Sequence, residues 1–269
     1  MKTSLQNRIY CRFMKYFIVG FVLFCHSFAA TSQNLVSNPS FERYDYCPTT
    51  YTIKPTKQLI PGWYLPTKGT SDYFNSCTNI QVNVPKNFIG YMYAKDGQAY
   101  IGMILLEAPL LDTNLQKGWN NYREYIQAEL KEPLVSGKRY VVKFHYAIAT
   151  YSTYAVNNVG IYFSQKRIKN RTTSNVLNYS PQVEAETNII KSTKDVWFEV
   201  VDTLTADGGE QFITIGNFYS SKETKFKTLD ITELRNTLKE RIKENRIAYY
   251  YIDDVSVTQL NLITTKLDD

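Results

Sequence analysis

The sequence predicts an antiparallel all-β sandwich of the jelly-roll type, and three observations carry that prediction. Apolar and polar residues alternate with period two in about eight separate stretches. Tyrosine and phenylalanine are abundant, at 22 and 14 of 269 residues, and such side chains suit a pleated, half-buried surface. Turn residues separate the stretches, with no internal repeat and no low-complexity linker.

The elements follow in chain order. Residues 1–32 read as a secretory signal peptide. Lys2, Arg8, Arg12 and Lys15 precede an apolar core at 17–25, and Ser27, Ala29, Ala30 and Ser32 follow it. The core is short for a membrane span, so no stable span is expected once the signal is removed; a retained anchor is the alternative reading. Residues 33–269 then form a single β-sandwich domain. The leader holds four of the 31 basic residues and no acidic ones, leaving 27 against 25. The basic balance belongs mostly to the leader, so nucleic acid is not an expected partner. Cys11 and Cys25 also lie in the leader. Cys47 and Cys77 remain, and in an oxidising compartment they are expected to pair.

A first strand is expected at 34–42, where Pro39 suits an edge or a bulge. Further strands are expected at 97–105, 125–130, 138–149, 156–164, 196–203, 211–218 and 248–257. In 138–149, Tyr140, Val142, Phe144 and Tyr146 alternate with Arg139, Val141, Lys143 and His145. One segment breaks the pattern. Ile231, Leu234, Leu238 and Ile242 recur at helical spacing, with Asp230 as N-cap and Glu233 completing a capping box. A surface helix inserted at about 230–245, before the last strand, is expected.

The motifs of catalysis are missing. After the leader, His145 is the only histidine, which removes a histidine cluster for zinc and leaves a Ser-His-Asp triad one mid-strand candidate. No phosphate-binding loop, dinucleotide fingerprint or Cys-x-x-Cys is present. Asp72, Glu124, Glu129 and Glu210 are glycosidase candidates only in being acidic. An enzyme is not expected, and a glycoside hydrolase ranks last.

Two acidic residues at the ends say more. Asp253 shares strand parity with Val255 and Val257, which points it at the core, where a lone carboxylate is costly. Glu42 ends the first strand, and jelly rolls commonly set first and last strands side by side. Together with backbone carbonyls the two would form an oxygen-only site for a structural calcium ion. The competing reading is hydrogen bonding of both to backbone amides at a sheet corner.

The opening NLVSNPSFE at 34–42, Trp63 soon after it, and the closing YYYIDDVSV at 249–257 resemble the galactose-binding-like jelly rolls of carbohydrate-binding modules. Between them run DYFNSC at 72–77, VPKNFIGYMYAKDGQAYIG at 84–102, NYREYIQAEL at 121–130, LVSGKRYVVKF at 134–144, NNVGIYFS at 157–164 and GGEQFITIGNF at 208–218. This ordered set is similar to the exported N-terminal region of Bacteroidota outer-membrane proteins that carry an OmpA-like peptidoglycan-binding domain. The chain ends about twelve residues after its last strand, so the wall-anchoring role is not expected to carry over. The resemblance implies the sandwich, export to the periplasm, the outer-membrane surface or the medium, the disulfide, and sugar binding with a structural calcium.

Two functions are therefore expected, in order. The first is a non-catalytic glycan-binding module. Its aromatic contacts would come from Trp119, Trp63, Tyr93 and Tyr73, with Trp119 foremost because Lys117, Gly118 and two asparagines surround it. The second is a structural or protein-interaction component of the cell envelope.

Overall fold

A computed structural model describes residues 33–50, 59–107, 121–170, 175–186, 188, 190–230 and 246–260. All belong to one compact unit, Gln33–Asp269. The expected signal peptide and the expected helix at about 230–245 fall on residues outside those described, apart from Asp230. The described residues contain strands and turns and no helix.

Fourteen strands follow in order: β1 (Trp63–Tyr64), β2 (Asp72–Asn75), β3 (Lys86–Asn87), β4 (Gly90–Tyr91), β5 (Ala99–Glu107), β6 (Ile126–Glu129), β7 (Arg139–Ile148), β8 (Tyr154–Val156), β9 (Gly160–Ser164), β10 (Val183–Glu184), β11 (Trp197–Thr205), β12 (Phe212–Gly216), β13 (Phe226–Thr228) and β14 (Ile247–Gln259). They build two five-stranded sheets, ordered β1-β6-β12-β9-β10 and β11-β7-β14-β5-β2, and two small ribbons, β13-β8 and β3-β4. Every pairing between these strands is antiparallel, and the non-sequential order is that of a sandwich whose strands cross between sheets.

The inner faces meet in one core. Ile126 and Ala128 of β6, Ile161 and Phe163 of β9, and Ile213 and Ile215 of β12 face Ile101 and Met103 of β5, Val142 and Phe144 of β7, and Tyr250 and Ile252 of β14. The second sheet is buried on its outer face too. Phe74, Tyr100, Ala147, Tyr249 and Tyr251 pack there under Val82, Val84, Ile89 and Met92 of the segment after β2. That second core explains the unbroken aromatic run of β14, which has no polar side to present.

The first strand differs from expectation. Residues 34–42 lie against β14, with the amide of Leu35 on Val257 O at 2.8 Å and that of Val255 on Pro39 O at 3.0 Å. They form only an isolated bridge, Val36 to Leu130. Local bonds replace the ladder: Asn34 Oδ1 takes the amide of Val36, and Asn38 Oδ1 that of Arg43. The stretch 156–164 likewise splits into β8 and β9. Cys47 and Cys77 are joined in a disulfide.

Candidate ligand groove

The outer face of the first sheet carries a row of side chains set by register. Tyr64 lies opposite Gln127, Gln127 opposite Thr214, and Thr214 opposite Tyr162. Their strand neighbours Trp63, Ile126, Ala128, Ile213, Ile215, Ile161 and Phe163 face the core, so alternation turns this row outward. Gln127 Nε2 donates to Thr214 Oγ1 at 2.8 Å. Gln127 Oε1 is buried with no hydrogen-bond partner among the described residues.

The chain leaving β9 crosses this face. Arg167 sets its guanidinium 3.7 Å from the centre of the Tyr64 ring, a cation–π contact that fixes the charge in place. The amide of Asn170 then bonds Pro66 O at 2.8 Å and holds the crossing segment down. Tyr162 stacks on Tyr179 with ring centres 4.5 Å apart and planes 14° from parallel. Gln182 brackets the backbone of Phe163, accepting its amide at 2.8 Å and donating to its carbonyl at 3.2 Å.

Of these groups, Tyr162, Tyr179, Arg167, Asn170 and Gln182 open on a groove of about 590 Å³, within the size range of small-ligand sites. Its walls include Tyr162, Tyr179, Gln182, Lys166, Arg167 and Lys169, with Asp207 and Glu210 at one end. Glu210 is committed to its own turn, its two oxygens taking the amides of Asp207 and Gly208 at 2.8 Å each. Tyr179 is 41 % exposed and offers its outer ring face. Burial, with Tyr179 adding to it, pushes the Tyr162 hydroxyl above the usual phenol range and keeps it a neutral donor. The groove is therefore aromatic at one side and cationic along one wall.

The aromatic residues singled out from sequence fall elsewhere. Trp63 is 3 % exposed, packs 4.7 Å from the Phe41 ring and donates its indole N–H to Asn38 O at 2.8 Å. Tyr73 is 1 % exposed and donates to Phe41 O at 2.9 Å. Both are core residues, which removes them as ligand contacts. Their short strands lie in what reads as loop, yet both side chains face the main core. Tyr93 is 65 % exposed and meets Tyr91 edge to face, their hydroxyls 3.0 Å apart. It is not among the residues of the groove. Trp119 lies outside the described residues. Tyr162 and Tyr179 were legible only as a strand residue and a loop residue, and no local signal pairs them.

Glu42 and Asp253 do come to one place, the turn at 95–99. Glu42 Oε1 accepts the amides of Gln98 and Ala99, each at 2.8 Å. Asp253 Oδ2 accepts those of Lys95 and Asp96 at 2.8 and 3.1 Å, and Oδ1 that of Asp254 at 2.7 Å. Asp253 reaches this turn because Asp254 takes a φ of +49° and the register of β14 shifts between Asp253 and Ser256. The strand parity inferred from sequence therefore fails. Tyr251 and Asp253 share the outer face, and Val255 and Val257 face the main core. Burial pushes the Asp253 carboxyl up to about 8, against the pull of the three amides, and Asp96 beside it adds to the rise. Burial also raises Glu42, followed by weaker opposing pulls from the two amides. A Cβ at Gly97 would fall 2.3 Å from the Glu42 carboxyl carbon, so only glycine admits that carboxylate.

Two of the acidic glycosidase candidates also meet, but inside the protein. Glu124 accepts from Tyr122 Oη at 2.6 Å, from Thr70 and from the Ile104 amide at 2.7 Å, and Asp72 accepts from the Tyr249 hydroxyl. Burial raises both, and Glu124 raises Asp72 further. Both are buried and spoken for by internal donors, and neither lines the groove. Glu129 and Glu210 lie apart from them.

No protein-family model matches this sequence, and no curated protein matches it. The likeness to the Bacteroidota outer-membrane region thus has no family match behind it. Solved structures do match in part. The chain is similar to the xylan-binding domain CBM22-1 of Paenibacillus barcinonensis Xyn10C, at 9 % identity and a TM-score of 0.40, over 86 % of this chain and 97 % of that one. It is similar to the K1 cleaved adhesin domain of Lys-gingipain from Porphyromonas gingivalis W83, at 11 % identity and a TM-score of 0.34, over 76 % and 94 %. It is also similar to TmCBM61, solved with β-1,4-galactotriose, at 12 % identity and a TM-score of 0.34, over 85 % and 100 %.

Proposed function

We propose that this is an exported, non-catalytic module that binds a glycan in the groove beside Tyr162 and Tyr179. One observation carries the reading: an open groove on a rigid sheet joins an exposed tyrosine face to fixed polar groups. Sugars stack their C–H faces on aromatic rings and leave their hydroxyls to amides and charged donors. The leader pattern at 1–32 and the Cys47–Cys77 disulfide support export. The test is a glycan array with the protein and with Tyr179→Ala. Binding that the variant loses, at an unchanged melting temperature, supports the reading. No binding to any glycan overturns it.

An envelope role through a protein partner is the second reading, and Tyr91 and Tyr93 favour it. At 50 and 65 % exposure they form an aromatic knob, held by Trp197 Nε1 on Tyr93 O at 3.0 Å. A partner captured by the wild type and lost with Tyr91→Ala would select this reading.

We also propose a structural calcium ion at the corner of Glu42 and Asp253. The donors present are oxygens, as calcium requires. No lysine or arginine among the described residues pairs with either carboxylate. Against this stands the amide geometry, and no group of three or more His, Cys, Asp or Glu among the described residues is placed to hold a metal. Melting in millimolar calcium and in chelator decides it. An ion at a hundredfold its dissociation constant adds about 2.7 kcal/mol, and equal melting temperatures would reject the site.

A further inference from the structure

The groove has a charge bias that a neutral sugar does not need. Lys166, Arg167 and Lys169 follow one another along one wall, and Lys166 and Lys169 are exposed. The ion pairs among the described residues use Lys143 and His145 as their basic members, so none of the three is neutralised by a carboxylate. The two acids at the groove end do not match them: Glu210 keeps its charge but has both oxygens turned onto the amides of its own turn, so three cations face two carboxylates, one of them directed away. Arg167 is also held in place: its guanidinium carbon sits 3.7 Å from the centre of the Tyr64 ring. A guanidinium fork fixed at one position suits a carboxylate or a sulfate. This bias is local, because the chain beyond the leader is close to neutral, with 27 basic and 25 acidic residues.

We infer that the groove selects acidic glycans, with the sugar ring on the Tyr179 face and its carboxylate or sulfate on Arg167, flanked by Lys166 and Lys169. This rests on the glycan-binding reading above. The two anion sources share one chemistry: two or more anionic oxygens on one central atom that accept paired N–H donors.

The experiment is calorimetric titration with matched oligosaccharides that differ in the acid alone: galacturonate against galactose oligomers, and a sulfated galactose oligomer as the third arm. The acidic ligand is expected to bind at least about tenfold tighter, the size of one charge-assisted hydrogen bond, and the ratio is expected to shrink as salt is raised. In Lys166→Gln/Lys169→Gln the ratio is expected to fall severalfold, and in Arg167→Gln it is expected to approach one. Melting temperatures establish that each variant is folded. Preference for galacturonate assigns a carboxylate, and preference for the sulfated oligomer assigns a sulfate; either supports the inference. Equal affinity for acidic and neutral oligomers overturns acid selection while leaving glycan binding standing. No binding to any of the three overturns acid selection as well, while glycan binding itself falls only if the array shows no ligand.

Discussion

Asp253→Asn should gain steadily on the wild type in stability between pH 5 and pH 8, measured in chelator to exclude any divalent ion. The side chain is fully buried, and its carboxyl is pushed from an ordinary 3.8 up to about 8. The folded protein therefore keeps a proton that the unfolded chain releases near pH 4. Stability from this group is fully present below about pH 4 and drains away as pH climbs towards 8. At 1.36 kcal/mol per pH unit, with the loss already begun at pH 5, the wild type loses about 3–4 kcal/mol through Asp253 between pH 5 and 8. Asparagine does not titrate. Its carbonyl can keep the amides of Lys95 and Asp96, but its NH₂ then faces the Asp254 amide, at a cost of about 1–2 kcal/mol. By pH 5 the wild type has already lost about 1.6 kcal/mol, which offsets the asparagine cost, so the two proteins should be near par there and the variant about 3–4 kcal/mol the more stable at pH 8. Urea unfolding of both proteins at both pH values reads this directly, because every other titrating group cancels in the comparison. A stability difference that is the same at pH 5 and pH 8 would refute the raised carboxyl and leave Asp253 an ordinary amide-bound carboxylate.

Three further outcomes follow from the packing. Gly102→Ala places a Cβ 2.3 Å from the Tyr249 hydroxyl, which its bond to Asp72 holds in place; urea unfolding should show a loss of about 1–3 kcal/mol. Trp63→Ala should cost about 3–5 kcal/mol in the same assay, because it empties a core site beside Phe41 and strands Asn38 O. Cys47→Ser with Cys77→Ser opens a loop spanning 30 residues and should lower stability by about 3–4 kcal/mol, and a dithiol reductant should have no further effect on that variant.

The strands of the second half were legible because burial on one face writes period two into the sequence. The stretch 138–149 became β7 almost unaltered, and 211–218 contains β12. Strand parity failed at Asp253 because one residue with positive φ and a register shift invert every side chain beyond it. Trp63 and Tyr73 read as loop aromatics because a two- or four-residue strand is too short to show alternation, and β2 is buried on both faces. The opening segment has strand-like composition, but Asn34 and Asn38 satisfy its backbone locally and replace a ladder.

By itself the sequence determined the all-β class, the strand-rich second half and the pair of cysteines that joined, because each depends on residue type and local spacing. Only the tertiary structure decided where a ligand could sit. Register turns Tyr162 of β9 outward, Tyr179 stacks on it, and Tyr64 of β1 holds Arg167 at the groove wall, three contacts that only long-range packing brings together. The charges of Lys166, Arg167 and Lys169 read as ordinary solvated residues until the fold lays them along a groove where they outnumber its two acids, Asp207 and Glu210. A site made by long-range pairing leaves no local pattern, because the free energy that selects it is the burial of the opposite face.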